Sequence, residues 1–405
     1  MNGILQGLRI IEGSAFVAAP LGGMALAQLG ADVIRFDPIG GGLDWARWPV
    51  TSSGASLFWA GLNKGKRSIA VDIRHPRGQE LLTRLIAAPG ADAGIFSTNF
   101  PARGWLAFDA LERHRADLIM VNLLGRRDGG SEVDYTVNPQ VGFPGLTGAV
   151  DDGPANHVLP AWDAITGQMI ALAILAAERH RTRTGAGQLV TLALKDVAIA
   201  MLGHLGMIAE VQVNDSDRAR YGNVLYGAFG RDFATGDGRR VMVVGLTHLQ
   251  WSTLVKATGI ADGVAALAAR ASLDLADEGN RFRLRDEIAA LLTPWFAART
   301  LAEVRSALDA SRVTWGPYRT VRQALEEDAD LSAANPLLQS LAQPGVGEYL
   351  APVSPLDFSL VARVPVAPAP RLGQHTDEIL LGVLGLGEGE VGRLHDDGIV
   401  AGPAD

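Results

Sequence analysis

The stretch "LRIIEGSAFVAAPLGGMALAQLGADVIRFD", residues 8–37, holds two apolar segments with a different kind of segment between them. Residues 8–13 and 31–37 are rich in β-branched side chains, as strands are. Residues 18–30 have the Leu and small-residue spacing of a helix. The order predicts a strand, a helix and a second strand, the unit from which parallel sheets with right-handed crossovers are built.

The same alternation continues along the chain. Strands are predicted over 67–73, 93–99 and 117–125, and helices over 76–88 and 108–116. Four or five such units predict an α/β fold with a Rossmann-like, doubly wound parallel sheet.

A different composition follows this part of the chain. Residues 126–160 are rich in Gly, Pro, Asp and Asn, and so long a stretch without periodicity is more often functional than a plain connector. A long helix is predicted from Asp163 to about Arg183, then a strand over 188–194 and a helix over 195–211.

Beyond residue 215 the pattern is that of a separate α+β piece. "GDG" at 236–238 lies between apolar segments and predicts a hairpin turn. Helices are predicted near 248–258, 283–298 and 300–310. The Pro-rich segment 361–386 is expected to be an extended arm that leads into a short helix.

Composition excludes several classes of protein. A formal net charge of −8 over 405 residues argues against a general nucleic-acid binder. The absence of cysteine excludes disulfides, thiolate metal sites and thiol catalysis, and the eight histidines have no metal-ligand spacing. No basic, apolar leader opens the sequence, and no apolar run is long enough to cross a bilayer. We therefore expect a soluble cytoplasmic protein with no metal, nucleic-acid or membrane partner.

Asp163 stands at the head of the long predicted helix and has two interpretations. An Asp that precedes a helix accepts hydrogen bonds from free backbone N–H groups and so caps it. Thr166 occupies the place where a capping box would have Glu or Gln, so the cap is not reinforced. The other interpretation is a carboxylate nucleophile or base, which requires a ligand pocket beside it.

Basic residues adjoin several predicted strands. They are Lys64, Lys66 and Arg67 before one strand, Arg103 after another, and Arg126 and Arg127 after a third. The carboxyl ends of parallel strands share one edge of a sheet, where ligands bind. Lys and Arg at that edge can hold phosphates, and the alternative is a solvated charged rim, the more common origin of such clusters.

The first strand-to-helix turn also raises the possibility of a dinucleotide site. "EGSAFVAAP" follows the first strand, and Asp37 ends the second, where a ribose-binding acid would lie. That fingerprint requires G-x-G-x-x-G, whereas this turn offers Gly13 alone. A nucleotide-binding dehydrogenase thus remains a weakly supported alternative.

Four segments together resemble one family. "GLRIIEGSAFVAAPLGGMALAQLGADVIRFD", "LNKGKRSIAVDI", "PAWDAITGQMIALAILAAERHRTRTGAGQLVTLALKD" and "APRLGQHTDEILLGVLGL" are similar to successive signatures of the family III CoA transferases, the CaiB/BaiF type. The resemblance runs almost from end to end. The family also includes formyl-CoA transferase, carnitine CoA transferase and 2-methylacyl-CoA racemase.

The resemblance implies an architecture. It predicts an interlocked homodimer in which each subunit has a large Rossmann-like domain built from both chain ends. On this sequence the large domain would cover 1–212 and 326–405, and a small α+β domain would cover 213–325.

The resemblance also implies a set of site residues. The family's catalytic Asp falls on Asp163 in "PAWDAITGQ", as the nucleophile. The CoA phosphates and adenine would meet Arg35, Lys66, Arg67 and Arg103. Arg126, or alternatively His157, would hold a free substrate carboxylate. CoA enters as part of an acyl-CoA substrate, and no further cofactor is expected.

Two departures from the family narrow the expected reaction. The polar His-Val-Gln turn of the oxalate-handling enzyme is Ala15, Phe16 and Val17 here, which argues against oxalate. The catalytic His of the racemase would fall near Val133, where no His stands, and a racemase needs two acid/base groups. The sequence as a whole, including "FDPIGGGLDWARWPV", "RRDGGSEVDYTVNP" and "GHLGMIAEVQVNDSDRAR", most resembles the intramolecular member of the family. This resemblance implies CoA transfer between the two carboxylates of one dicarboxylic acid, through an aspartyl-CoA thioester. Transfer between two different acids, or a racemase, are the alternatives.

Overall fold

The computed structural model describes residues 3–403, which divide into two compact units. The first unit takes the chain up to Val141, then Val158–Ala209, and the chain from Ala329 onward. The second unit consists of Gly142–His157 and Glu210–Asp328. Segments from both ends of the sequence thus belong to one unit.

The strands have these bounds in chain order: β1 Arg9–Gly13, β2 Asp32–Asp37, β3 Arg67–Val71, β4 Ile95–Thr98, β5 Ile119–Leu124, β6 Gln188–Ala193, β7 Phe229–Ala234, β8 Arg240–Gly245, β9 Thr314–Pro317, β10 Leu338–Gln343, β11 Gly347–Pro352 and β12 Val400–Ala401.

The helices follow in the same manner: α1 Ala18–Ala27, α2 Leu57–Leu62, α3 Pro76–Ile86, α4 Phe108–Glu112, α5 Asp134–Gln140, α6 Phe143–Leu146, α7 Ala161–Thr184, α8 Leu194–His204, α9 Met207–Asn214, α10 His248–Thr258, α11 Ala261–Ala271, α12 Glu278–Arg283, α13 Arg285–Ala297, α14 Leu301–Ala310, α15 Val321–Glu327, α16 Thr376–Gly382 and α17 Glu388–Asp396. Short 3₁₀ turns lie at Gly104–Leu106 and Ala329–Leu331.

The first unit is built on a sheet with the strand order β12-β3-β2-β1-β4-β5-β6. Strands β1 to β6 pair in parallel, and only β12 runs antiparallel to its neighbour β3. This is the predicted α/β class with a mostly parallel sheet. The chain reverses its direction of winding between β1 and β4, and ligands of such sheets bind in the crevice at that reversal.

Hydrogen bonds join the two loops at this crevice. The backbone N–H of Ala15, after β1, donates to Oδ1 of Asn99, after β4, at 2.9 Å. The Asn99 amide returns a bond to the Ala15 carbonyl at 2.8 Å. The Thr98 hydroxyl donates to the Gly13 carbonyl at 2.7 Å. The sequence therefore fixes the turn after β1 against the end of β4.

Helices α1 and α7 approach each other at glycines. A Cβ on Gly22 would lie 2.8 Å from Ile170 Cγ2, and one on Gly167 would lie 2.9 Å from the Ala18 carbonyl oxygen. Any side chain at either position would push the helices apart. The "GG" of α1 and the "TG" of α7 thus bring the start of α7 close to the turn after β1.

The second unit has an antiparallel sheet in the order β7-β8-β9. The predicted hairpin is confirmed, since β7 and β8 pair from Ala234 to Arg240 and Gly238 has a left-handed φ of 78°. Phe233 and Phe296 stack in its core with ring centroids 4.5 Å apart.

The segment Gly142–His157 requires a correction, since the sequence analysis places it in the large domain. The Arg220 guanidinium in the second unit donates to the Gly145 carbonyl at 3.1 Å and to the Gly153 carbonyl at 2.8 Å. A bidentate cation that binds several carbonyls of one segment ties that segment to its own unit. The 126–160 stretch is also not structureless, because α5 and α6 lie in it.

Most other predicted elements are confirmed with small shifts of their ends. The predicted helix over 195–211 is two helices, α8 and α9, with a break at Gly206, whose φ is 76°. Among residues 3–403 no single helix is long and apolar enough to cross a membrane. The pair α8 and α9 passes that test only when taken together, and it is bent by 58°.

Candidate active site

Asp163 lies in the first turn of α7, two residues after the helix begins at Ala161. The cap of this helix is another carboxylate. Asp134, at the start of α5, accepts the backbone N–H of Trp162 at 2.8 Å and that of Asp163 at 3.1 Å, both through Oδ2. The interpretation of Asp163 as the N-cap is therefore wrong, and its side chain is left free for another role.

Burial and hydrogen bonds hold the capping residue in place. Asp134 is 1% exposed, and Trp162, 4% exposed, donates its indole N–H to Asn138 Oδ1 at 3.0 Å. Both partners come from α5, so α5 fixes the start of α7. Within residues 3–403, Oδ1 of Asp134 has no hydrogen-bond partner.

The pKa of Asp163 is raised to about 7. Partial burial is the largest cause because it disfavours the charged carboxylate, and the negative charge of Asp134 is the second. The positive charge of Arg47 acts in the opposite direction. The pKa rises because desolvation and the like charge of Asp134 together outweigh the attraction of Arg47.

Arg47 lies in the segment between β2 and α2, on which the sequence analysis is silent. Its guanidinium stands over the ring of Phe16 at 5.4 Å and over that of Phe58 at 5.1 Å. Such cation–π contacts orient a guanidinium without using its N–H donors. The structure therefore brings together Asp163, Asp134 and Arg47.

Lys66, an expected CoA ligand, is instead an interior residue. It is 3% exposed, and its ammonium donates to Glu12 at 2.7 Å, to the Pro20 carbonyl at 2.8 Å and to Asn63 Oδ1 at 3.0 Å. Burial lowers the pKa of Lys66 to about 8, although Glu12 acts against this change. All three donors are occupied, so the expectation is corrected.

Arg35 is likewise enclosed, at 1% exposure. Its guanidinium forms two bonds with Asp37 at 2.9 and 3.0 Å, and further bonds with Asp44 at 3.3 Å and Asn63 at 3.1 Å. It also donates to the Ser14 carbonyl at 2.9 Å. Its bond to the Ser14 carbonyl stabilises the turn after β1. A CoA phosphate could bind Arg35 only if these hydrogen bonds were broken.

Arg67 is directed away from the crevice. Its guanidinium binds the carboxylate of Asp32, the first residue of β2, at 2.6 and 2.8 Å, and also Glu378 at 3.1 Å. Asp32 marks the amino end of a parallel strand, whereas the ligand edge is the carboxyl end. The expected CoA contact of Arg67 is therefore not supported by its placement.

Arg103 is exposed in the loop after β4, at the edge where the sequence analysis expects it. Arg126 is 44% exposed and pairs with Asp128, while Arg127 pairs with Asp196 at 2.7 Å. His157 belongs to the second unit, within Gly142–His157. Neither Arg126 nor His157 is among the charges that act on Asp163.

The part of the chain that the structure describes contains no group of three His, Asp or Glu able to hold a metal ion. A cavity of about 690 Å³ in the first unit is lined by Trp45, Trp59, Val346 and Arg371, among others. The ring of Trp59, one of the lining residues, packs on the Arg35 guanidinium at 4.6 Å.

Sequence reasoning missed the two charges that surround Asp163. Asp134 comes 29 residues earlier, and the signal for it is its place directly before "YTVNPQ", the start of a short helix. Arg47 has no comparable signal, because "LDWARWPV" shows no periodicity.

The fold and site together define an α/β protein that presents a half-buried carboxylate of raised pKa at a helix start near the winding reversal of a parallel sheet. Comparison of the sequence with family models matches residues 5–376 to CoA-transferase family III. The chain belongs to this family of enzymes, which confirms the resemblance.

Relatives with established names extend the comparison. The chain is 73% identical over 405 residues to 2-methylfumaryl-CoA isomerase of Chloroflexus aurantiacus. The alignment covers 100% of this chain and 99% of the relative. It is 28% identical to formyl-CoA:oxalate CoA-transferase of Rhodopseudomonas palustris over 100% of this chain and 99% of that one. A CAIB/BAIF family protein from Brucella suis has a similar solved structure, with a TM-score of 0.77, 25% identity and coverage of 95% of this chain and 100% of that one.

Proposed function

We propose that the protein converts 2-methylfumaryl-CoA into 3-methylfumaryl-CoA by moving CoA between the two carboxylates of one dicarboxylic acid. The relative that is 73% identical over the full chain carries the name of this isomerase. The observation that carries the chemistry is the side chain of Asp163, which does not cap its helix and has a pKa raised to about 7. The reaction belongs to the 3-hydroxypropionate cycle of CO2 fixation.

The first half of the reaction transfers CoA to the protein. The ionised carboxylate of Asp163 attacks the C1 thioester carbonyl, the C–S bond breaks, and the products are a mixed anhydride and the CoA thiolate. The thiolate attacks the aspartyl carbonyl of the anhydride. Free 2-methylfumarate leaves as a dicarboxylate, and CoA remains bound as an aspartyl thioester.

The second half repeats these steps from the other end of the acid. The C4 carboxylate attacks the aspartyl thioester, the thiolate leaves, and a second anhydride forms. The thiolate then attacks the C4 carbonyl, which releases Asp163 as a carboxylate and gives 3-methylfumaryl-CoA. No proton is transferred at any step, so the site has to supply a water-free environment and stabilisation of the oxyanions.

The raised pKa has two effects on this mechanism. A pKa of about 7 places the loss of the Asp163 proton near neutral pH, so the rate is expected to depend on pH in that range. A partly desolvated carboxylate of higher pKa is also the more reactive nucleophile once ionised.

Isotope labelling tests the proposal. The protein is incubated with 2-methylfumaryl-CoA and carbon-labelled free 2-methylfumarate, and both CoA esters are separated and counted. We expect isomerisation without label in either ester. Label in the esters at the rate of turnover would instead assign transfer between separate acids, the activity named for relatives at 26–28% identity.

The quaternary structure belongs to the same proposal: the enzyme is an interlocked homodimer. In the first unit, apolar side chains are exposed on the edge strand β6, on α7, on α8 and at the residue that follows α8. They are Leu172, Leu189, Ile199 and Leu205, with 58, 43, 42 and 62% exposure. An apolar edge of this kind requires a cover. Light scattering is expected to give twice the chain mass of 42.7 kDa.

A further inference from the structure

The proposed reaction leaves one chemical requirement unassigned. Until its own turn to react, the second carboxylate of the acid carries a full negative charge, and after the first half-reaction the acid carries two. A buried or half-buried site has to meet such a charge with a cation or with hydrogen-bond donors. Holding the freed acid also determines whether the transfer stays within one molecule.

Three of the cations predicted from the sequence are already paired, and the exposed Arg103 is not among the charges that act on Asp163. The donors of Lys66 are committed to Glu12 and its neighbours, and those of Arg35 to Asp37 and Asp44. Arg126 pairs with Asp128. Each would have to break an existing ion pair to bind a substrate.

Arg47 differs from all of these. Within residues 3–403 its guanidinium makes no hydrogen bond and no ion pair, and it stands over the rings of Phe16 and Phe58. It is the cation whose charge acts on Asp163. Its N–H donors are therefore available. Phe16, one of the two rings, stands in the turn after β1, and the close contact of Gly22 and Gly167 brings the start of α7 near that turn.

The backbone around Arg47 is fixed from both sides. Its N–H donates to the Asp44 carbonyl at 3.3 Å, and its own carbonyl accepts the Ser56 hydroxyl at 2.5 Å. Oδ1 of Asp44 also holds the backbone N–H of Phe16 at 2.8 Å. Asp44 thus holds the backbone of both Arg47 and Phe16, one of the two aromatic residues that Arg47 contacts.

Phe16 adds a sign of specific construction. Its φ of 68° lies in the left-handed region, which is strained for a bulky L-residue and persists only where the surroundings enforce it. The ring nevertheless stays 37% exposed. Strain of this kind at the winding reversal of the sheet, beneath an unpaired guanidinium, indicates that the ring is placed to orient the cation.

We propose that Arg47 binds the free carboxylate of the dicarboxylic acyl group and retains the acid between the two half-reactions. This inference rests on the proposed function. A guanidinium offers two parallel N–H donors to a carboxylate, and the rings beside it restrict its plane. While Arg47 holds one carboxylate, the other faces the aspartyl thioester, and exchange of the two carboxylates on Arg47 moves CoA to the opposite end. Acyl groups without a second carboxylate lack this anchor.

The test compares two thioesters of equal shape. The first is 2-methylfumaryl-CoA, and the second is (E)-2-methylbut-2-enoyl-CoA, in which a methyl group replaces the free carboxylate. In a single turnover, the rate at which CoA attaches to the protein is followed by intact-protein mass after rapid quenching. For the wild type we expect attachment from the dicarboxylic ester to be about 100-fold faster.

Variants of Arg47 test whether this residue causes the preference for the dicarboxylic ester. Arg47→Met is expected to slow attachment from the dicarboxylic ester about 100-fold and to leave the methyl analogue within about threefold, so that the preference disappears. Arg47→Lys keeps the charge without the fork and is expected to fall between the two. Arg113→Met, which removes an exposed arginine after α4, serves as the matched control and is expected to behave as the wild type. Arg47→Met is also expected to release labelled 2-methylfumarate into solution during turnover.

The outcomes separate this inference from the proposed function. If the wild type neither isomerises 2-methylfumaryl-CoA nor attaches CoA, the proposed function fails. If the wild type does both and Arg47→Met keeps the preference, Arg47 is not the anchor. An equal loss with both thioesters would show a purely structural role and would also overturn the inference. Should Arg47→Met not fold, an unchanged preference in Arg47→Lys would overturn the inference in its place.

Discussion

Two groups of charged side chains lie in the first unit, and they differ in whether their charges are paired. Beneath the turn after β1, Glu12 and Lys66 form a fully buried ion pair, and Arg35 binds two carboxylates. At the start of α7, Asp163 and Asp134 carry like charges, and the nearby Arg47 forms no ion pair with any described residue.

The difference separates scaffold from reactive group. A buried cation that is paired with a carboxylate and bonded to neighbouring oxygens has little capacity left for a ligand, so Lys66 and Arg35 hold the turn after β1. The group at α7 has an unbalanced charge, and its pKa is shifted accordingly. In the sequence, Lys66 and Arg35 resemble phosphate ligands, but in the structure they stabilise the fold.

Removal of Asp163 is expected to have the largest effect on activity. Asp163→Ala should lower kcat by at least about 10³-fold, because no other carboxylate replaces a covalent nucleophile. Near pH 4, where the folded wild type still holds the proton on Asp163, the free energy of unfolding should change by less than about 1 kcal/mol, because Asp134 caps the helix. Turnover assays with chemical denaturation measure both, and full activity with lost stability would restore the cap interpretation.

Removal of Lys66 is expected to lower the stability of the protein, in contrast to removal of Asp163, which is expected to lower its activity. Lys66→Met leaves Glu12 charged and unpaired at 0% exposure, which should cost about 3–5 kcal/mol of unfolding free energy. The double variant Glu12→Gln with Lys66→Met should recover much of that loss, since neither residue then carries a charge. Urea denaturation checks this, and a single variant as stable as the wild type would contradict a structural role.

The pH dependence of stability offers a third comparison. Because the folded-state pKa of Asp163, about 7, lies above the unfolded value of about 3.9, the folded state keeps a proton that the unfolded chain has lost between these values. This contribution is fully present below about pH 4 and disappears as the pH rises through 7. Asp163→Asn should therefore be about 2–4 kcal/mol more stable than the wild type at pH 8, and equal to it near pH 4.

The smallest expected effect is a shift in the pH–rate profile. For the wild type, kcat/KM should fall tenfold per pH unit below about pH 7. Asp134→Asn keeps an oxygen acceptor for the helix N–H groups but removes the negative charge, so the pKa of Asp163 should move down by about one unit. An unchanged acid limb would show that Asp134 does not influence the nucleophile.

Much of the fold was predictable from local pattern. Alternating strand and helix signals over 8–125 predicted the parallel sheet, because apolar runs and periodic helices report burial directly. The α2 helix and the β10–β11 hairpin were missed. Helix α2 has a Ser56 cap, but it was missed because its six residues are too few to show a helical period.

The site was predictable only in part, for a physical reason. Asp163 was found through its motif, whereas Asp134 and Arg47 reach it from segments that are distant in sequence. A signal did exist for Arg35: in "RFD" it and Asp37 stand two residues apart on one face of a strand, where opposite charges pair. The same spacing identifies Asp128 as the partner of Arg126, but not Glu12 as the partner of Lys66, because Glu12 lies 54 residues away in the chain.

The short strand β12 has a consequence for how the protein is made. Val400 and Ala401 pair with Val71 and Ala70 of β3, partners about 330 residues apart in the chain. At typical rates of synthesis the ribosome needs between about 15 and 65 s to cover that distance. During this time one edge of a newly made β3 lacks its final neighbour, and exposed strand edges invite pairing with other chains. The segment from Glu210 to Asp328, which is local in sequence, emerges earlier and can fold while the sheet still waits for its last strand.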